Sequence, residues 1–212
     1  MSKVSQLRQT IANIHKRGVE VAAKIRALAT QEQRLIEENK RNREALALVL
    51  KEEHKNQPFL TMFDSVAPKE IPLNAKAVAG YVGGNWPTFD SLRAKFPNAK
   101  RLSVAVNASE FADCLDVETG DAIPADAPGF IKREKARLTP LGRKPWIYSD
   151  GSNMPVVISA CGNAGIQRSE YNYWLADPDG VPHLPVNVEA KQYTWHAFGR
   201  DLDASVVRFG LL

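Results

Sequence analysis

Two carboxylates stand two residues apart, Asp116 and Glu118, in the run Cys114-Leu115-Asp116-Val117-Glu118. In an extended strand, side chains at i and i+2 leave the same face. The pair therefore projects side by side, and mutual repulsion raises one pKa so that one group stays protonated as a general acid. Asp-x-Glu is a common pattern, and a solvated strand end carries it too. Here apolar Leu115 and Val117 flank the acids and mark the strand as core. Further acids fall at the ends of apolar runs: Asp64 after Leu60-Thr61-Met62-Phe63, and Asp201 and Asp203 in Gly199-Arg200-Asp201-Leu202-Asp203. Other chemistries find less support. His15, His54, His183 and His196 have no paired metal-ligand spacing. Ser149 and Ser152 lack a G-x-S-x-G setting, and no G-x-x-x-x-G-K phosphate loop occurs. No metal and no cofactor are expected.

The elements that position these acids follow from periodicity. Short apolar runs bounded by Gly, Pro, Asn and Asp predict strands at 60–63, 77–82, 102–106, 114–118, 145–148, 173–176 and 190–193. Helical stretches fall between several of them, at 88–96, 127–138 and 154–162. Strands alternating with helices imply an α/β fold with parallel organisation. Seven or eight strands in about 150 residues predict a compact TIM-like (β/α) barrel with short or missing helices, smaller than the ~250 residues usual for that architecture. In such a barrel the chemistry sits at the C-terminal ends of the strands, where Asp64, Asp116 and Glu118 fall. The two cysteines, Cys114 and Cys161, show no CxxC spacing and read as buried or semi-buried thiols.

Residues 3–56 are different in kind. They contain no proline and one glycine, and good helix formers dominate. Alternating steps of three and four from Val4 reach Leu7, Ile11, Ile14, Gly18, Val21, Ile25, Leu28, Glu32, Leu35, Asn39, Asn42, Leu46 and Val49; ten of the fourteen positions are apolar. This is the heptad seam of a parallel coiled coil, with polar positions that cost stability but fix register and oligomer number. A homo-oligomer, dimer or trimer, is expected; the alternatives are a helix folded back on its own barrel or a hairpin broken near Gly18. One continuous helix would reach about 75 Å. Pro58 ends it, which divides the chain into a coiled-coil helix at 1–57 and a barrel at 58–212. The helix also carries the basicity. Residues 1–56 hold 12 Lys+Arg against 7 Asp+Glu, whereas the rest of the chain is nearly balanced within a net +4. The basic residues are interspersed with acids, so a solvated face is expected and no nucleic acid.

Several pieces together resemble a known family. They are Met62-Phe63-Asp64-Ser65, Ala79-Gly80-Tyr81-Val82-Gly83-Gly84 with Trp86-Pro87-Thr88, Asp113-Cys114-Leu115-Asp116-Val117-Glu118, and Gly120-Asp121-Ala122. Trp146-Ile147-Tyr148-Ser149, Tyr173-Trp174-Leu175-Ala176, Gln192-Tyr193-Thr194 and Gly199-Arg200-Asp201-Leu202-Asp203 extend the match. Residues 60–212 resemble the glycoside hydrolase family 25-like domain of actinobacteria and their phages, whose enzymes are muramidases on a β/α barrel. The resemblance implies cleavage between N-acetylmuramic acid and N-acetylglucosamine in bacterial cell-wall glycan. It implies Glu118 as the acid that protonates the leaving oxygen, Asp116 as its partner, Asp64 as the first-strand aspartate, and Asp203, with Asp201 as the alternative, as the aspartate near the end of the barrel. It implies Tyr148, Trp174 and Tyr193 as cleft-lining aromatics. The chain departs from the family in being shorter, and in placing Asp177-Pro178 after Ala176 where a Tyr two residues on is more usual.

Two classes of function follow: a peptidoglycan-directed glycosidase on an oligomerising stalk, or a catalytically inactive virion component, such as a fibre or decoration protein, with the barrel as a glycan-binding or architectural head. The long helix favours a phage setting with other virion proteins as partners. The N-terminal residues have no apolar stretch of the signal-peptide kind, so synthesis in a host cytoplasm is expected, with possible incorporation into the virion, and no apolar run is long enough for a membrane span.

Overall fold

The computed structural model describes residues 3–54 and 59–212. The chain forms two compact units, Met1–Glu52 and Glu53–Leu212. The first is one helix, α1 (Lys3–His54). Its described seam residues Val4, Leu7, Ile11, Ile14, Val21, Ile25, Leu28 and Leu35 all stand more than half exposed. The side chains at Asn39, Asn42, Leu46 and Val49, and the boundary expected at Pro58, lie outside the described residues. Among the described residues no helix is long and apolar enough to cross a membrane.

The second unit is a closed eight-stranded barrel in sequential order. Its strands are β1 (Phe59–Asp64), β2 (Ala77–Tyr81), β3 (Lys100–Ala105), β4 (Cys114–Asp116), β5 (Trp146–Asp150), β6 (Asn172–Ala176), β7 (Ala190–Thr194) and β8 (Asp203–Arg208). Three helices flank it: α2 (Phe89–Lys95), α3 (Ala127–Leu138) and α4 (Met154–Asn163), within one residue of the sequence expectation at each end. The other connections carry no α-helix.

The parallel expectation holds from β1 to β7 and then fails. β8 runs antiparallel to both β7 and β1. The connection at 195–202 contains a single 3-10 turn at Ala197–Gly199 and no α-helix, but helix-free connections elsewhere in the barrel join parallel strands, so this alone does not explain the reversal. The reversal matters for the site. The first residue of β8, Asp203, lies at the end of the barrel where the other strands finish, and it pairs in register with Asp64.

Strand alternation sorts the core. Inward positions such as Met62, Ala77, Ala79, Cys114, Trp146, Tyr148 and Trp174 form one buried cluster. Alanines on β2 and β7 make room for the two tryptophans and the tyrosine, so large and small side chains fill the interior together. Outward Leu115, Val117, Ile147 and Tyr173 pack with α3 and α4. Outward Phe63 and Val78 pack with Leu92 and Phe96 around α2. Both cysteines are buried and free.

Ion pairs brace the strands that carry the acids. Asp113, just before β4, lies 3.1 Å from Arg137 of α3 and 3.2 Å from Arg143. Arg137 also pairs with fully buried Glu134, as does Arg133. This anchors the start of β4 and leaves its other end to present Asp116. On β7, fully buried Lys191 lies 3.0 Å from Asp177 and 2.8 Å from Asp179, which ties the loop after β6 to the barrel wall.

Candidate active site at the barrel mouth

Three strands bring carboxyls to one end of the barrel. Asp64 closes β1 and faces Asp203 of β8 across the antiparallel register. Its Oδ1 is shut off from solvent and has no hydrogen-bond partner. Burial, then the charges of Asp203 and Asp116, hold its pKa well above the usual carboxylate range.

Asp116 closes β4 and is 2% exposed. Tyr81, at the end of β2, donates from its hydroxyl to Asp116 Oδ2 at 3.2 Å. Oδ1 is buried without a partner. Burial, then Glu118 and Asp121, push the group up to about 8 against the lowering effect of the Tyr81 hydrogen bond. The strand geometry continues past β4: the Val117 amide donates to the Tyr148 carbonyl at 2.8 Å, and the Val117 side chain packs in the outer core. Glu118 therefore turns back toward the mouth beside Asp116. It is half-buried, and burial, then Asp150 and Asp121, raise its pKa. Asp203 is raised to about 7 by burial and then by Asp201, with His196 and the Gln192 amide working against the shift.

A hydrogen-bonded chain lines the floor. Tyr148 donates to Gln192 Oε1, and Gln192 Nε2 donates to Asp203 Oδ2 at 2.7 Å. The Tyr148 ring stands edge-on to Trp174 at 4.6 Å between centroids, and Trp174 Nε1 donates to Ser205 at 2.9 Å. A cavity of about 10 Å³, room for a single water, lies among Asp64, Tyr81, Val104, Tyr148 and Trp174.

The structure thus gathers Asp64, Asp116, Glu118, Asp203, Tyr148 and Trp174 at one mouth. It does not bring Tyr193 there. Tyr193 occupies the outward position of β7 and packs against the core around α2, because the inward position belongs to Gln192. Asp201 is exposed and reaches the group only through its charge on Asp203, while its backbone carbonyl accepts from Ser65 at 2.7 Å. Gln192 and Tyr81 are participants to which sequence reasoning assigned no role. Strand parity carries the signal for both, Gln192 two residues from buried Ala190 and Tyr81 two residues from buried Ala79. Among the described residues no group of three or more His, Cys, Asp or Glu side chains is arranged to hold a metal ion.

Such an arrangement can hold protons at neutral pH, deliver one to an oxygen above Glu118, and oppose a developing positive charge with the carboxyls that remain ionised.

No protein-family model matches the sequence, and no curated protein matches it. Solved structures do. An uncharacterized protein of B. stearothermophilus matches with a TM-score of 0.51 at 16% identity, covering 72% of this chain and 98% of that one. A muramidase from Acremonium alcalophilum (TM-score 0.46, 12% identity, 71% and 94% covered) and a bacterial lysozyme from Streptomyces coelicolor (TM-score 0.46, 16% identity, 71% and 92% covered) also match. The first of these likenesses shows a shared barrel fold; fold alone does not carry function.

Proposed function

We propose that the barrel is a glycosidase of muramidase type, acting on bacterial cell-wall glycan. The observation that carries this reading is the convergence of Asp64, Asp116, Glu118 and Asp203 on one barrel mouth, each with its pKa raised. Such clusters are costly in a folded protein and collect where proton transfer is needed. Glu118, the more exposed of the Asp116–Glu118 pair, gives its proton to the glycosidic oxygen as the bond from that oxygen to the anomeric carbon breaks. The bonding electrons leave with the oxygen. The positive charge left on the sugar faces Asp203, which at about 7 is ionised in part of the molecules at neutral pH; water then adds its hydroxide to the anomeric carbon and its proton returns to Glu118. Two carboxyls on one face of one extended segment suit the close spacing, about 5 Å, of retaining enzymes better than the wider gap of inverting ones. Mass analysis of the products from purified peptidoglycan tests the bond assignment. New reducing ends should be muramic acid; glucosamine ends, or cleavage confined to the peptide stems, contradict it.

The stalk belongs to the same reading. The exposed Ile and Leu seam of α1 has the spacing of a parallel coiled coil, and its burial against further copies of this chain would remove eight large apolar side chains from water. Light scattering on the intact chain should give a dimer or trimer, and Ile11→Asp with Ile25→Asp should give a monomer whose barrel still unfolds cooperatively. A monomeric wild type contradicts self-association. The same exposed seam favours a second reading, in which the protein is a phage virion component anchored by α1 and the barrel is a catalytically inactive glycan-binding or architectural head.

A further inference from the structure

Gln192 is 2% exposed within β7, and its backbone is held on both sides. Before it, fully buried Lys191 pairs with Asp177 and Asp179. Its own carbonyl accepts from the Asp177 amide at 3.0 Å, and the next carbonyl, that of Tyr193, accepts from the Gly180 amide at 2.8 Å. The ladder to β8 slips at this point: Gln192 pairs with Ser205 and Thr194 with Ala204, so Tyr193 is an extra residue on β7. A bulge of this kind re-aims the side chains beside it. Here the Gln192 amide does not stop at Ser205, its partner in the ladder, but reaches Asp203, two residues earlier on β8.

An amide beside an ionised acid has one favourable orientation. A carboxylate accepts hydrogen bonds and does not donate, so Nε2 must face Asp203 and Oε1 must face away. Tyr148 supplies the donor for Oε1. Burial, then the charges of Glu118, Asp64 and Asp116, raise the pKa of the Tyr148 hydroxyl, so it keeps its proton. The chain of donors therefore runs in one direction, from Tyr148 through Gln192 to Asp203 Oδ2. Asp64, opposite Asp203 in the register, is worse placed to hold a charge: its Oδ1 is shut off from solvent with no hydrogen-bond partner. Of the charged groups around Asp203, His196 favours its ionisation while Asp201 and Glu118 oppose it. Those around Asp64, Asp203 and Asp116, both oppose ionisation.

We propose that Gln192 is a positioning residue: with Tyr148 fixing its orientation, its amide makes Asp203 the ionised member of the Asp64–Asp203 pair and leaves the proton on Asp64. The reaction needs a negative group facing the opened sugar. This arrangement puts that charge at the half-buried Asp203 and keeps it from passing to the enclosed oxygen of Asp64. Gln192 is too enclosed to touch a sugar itself and acts through Asp203. Its part in catalysis rests on the glycosidase reading and deepens it.

Carbon-13 NMR titration of the aspartate carboxyls in the intact labelled protein reads the placement directly, with Asp64→Asn and Asp203→Asn to assign the signals. In the wild type Asp203 should titrate near neutrality and Asp64 should stay protonated beyond it. Gln192→Met keeps the length of the side chain and removes the donor. The Asp203 midpoint should then rise by about one pH unit, the effect of losing a hydrogen bond to a charged group. Tyr148→Phe, which frees the amide to turn, should raise it by less. At pH 7, kcat for peptidoglycan should fall about fivefold in Gln192→Met with KM unchanged, in step with the ionised fraction of Asp203. An Asp203 midpoint unmoved in the folded variants, or a wild type in which Asp64 ionises first, overturns the assignment. Should Gln192→Met not fold, the wild-type titration and Tyr148→Phe decide it. A raised midpoint with undiminished cleavage overturns the catalytic role. The expected titrations with no cleavage by the wild type uphold the placement of the proton and remove the glycosidase reading instead.

Discussion

Asp116→Asn should stabilise the barrel at pH 8 by on the order of 2–4 kcal/mol and change it little at pH 4. The sign follows from the direction of the shift. An aspartate titrates near 3.9 in an unfolded chain, whereas burial, Glu118 and Asp121 hold the folded Asp116 near 8. Its proton stabilises the fold fully below the unfolded value. That contribution is lost as pH rises through the folded value, because the unfolded chain ionises freely and the buried group does not. Asparagine never ionises, and its amide oxygen can still accept from Tyr81, which now donates at 3.2 Å. The magnitude is set below the full single-site value because Asp64, Glu118 and Asp203 share the proton uptake. Asp203, held near 7, adds a loss of the same sign over a lower window. Urea unfolding of both proteins from pH 4 to pH 8 reads the effect. The wild-type curve should fall more steeply with pH than that of the variant, and parallel curves would show that Asp116 is ionised in the native barrel.

Glu118→Gln should lower turnover of peptidoglycan by roughly 10²–10⁴-fold, the range that a positioned general acid contributes. The half-buried side chain keeps its shape in the substitution but loses the proton that the leaving oxygen needs. Substrate binding should change little, so the loss falls on kcat, as for an interaction made only in the transition state. Stability should not fall, since the substitution also removes a carboxyl whose ionisation burial, Asp150 and Asp121 oppose. Wild-type turnover should decline as pH rises through the elevated pKa of Glu118. An equal loss of stability and activity in the variant would assign Glu118 a structural role.

Much of the barrel is legible in the chain because local punctuation and periodicity agree. Pro128 and Pro155 stand in the first turns of α3 and α4, where a missing amide costs nothing. The alternation Asp116-Val117-Glu118 places the two acids on one face, and buried Val117 on the other holds that geometry past the end of β4. The direction of β8 is a different matter. Ala204-Ser205-Val206-Val207 is a short buried run that serves equally in either direction, and the helix-free connection before it is no guide, because three other helix-free connections join parallel strands. That reversal is what sets Asp203 beside Asp64. Tyr193 shows how an aromatic near the right place misleads. A tyrosine suits a sugar cleft, but inward Ala190 requires that Gln192, not Tyr193, face the interior. The exposed seam of α1 is plain in its spacing, whereas the occupant of such a seam is a property of assembly that one chain does not carry.

The most direct measurement is the release of reducing ends from purified peptidoglycan by the intact chain and its Glu118→Gln variant, side by side, with folding of both verified by circular dichroism. Release by the wild type, abolished or reduced at least a hundredfold in the variant, is the expected result and makes the barrel mouth a glycosidase site with Glu118 as its acid. No release by either folded protein would contradict it and leave a stalked glycan-binding or virion-structural protein in its place.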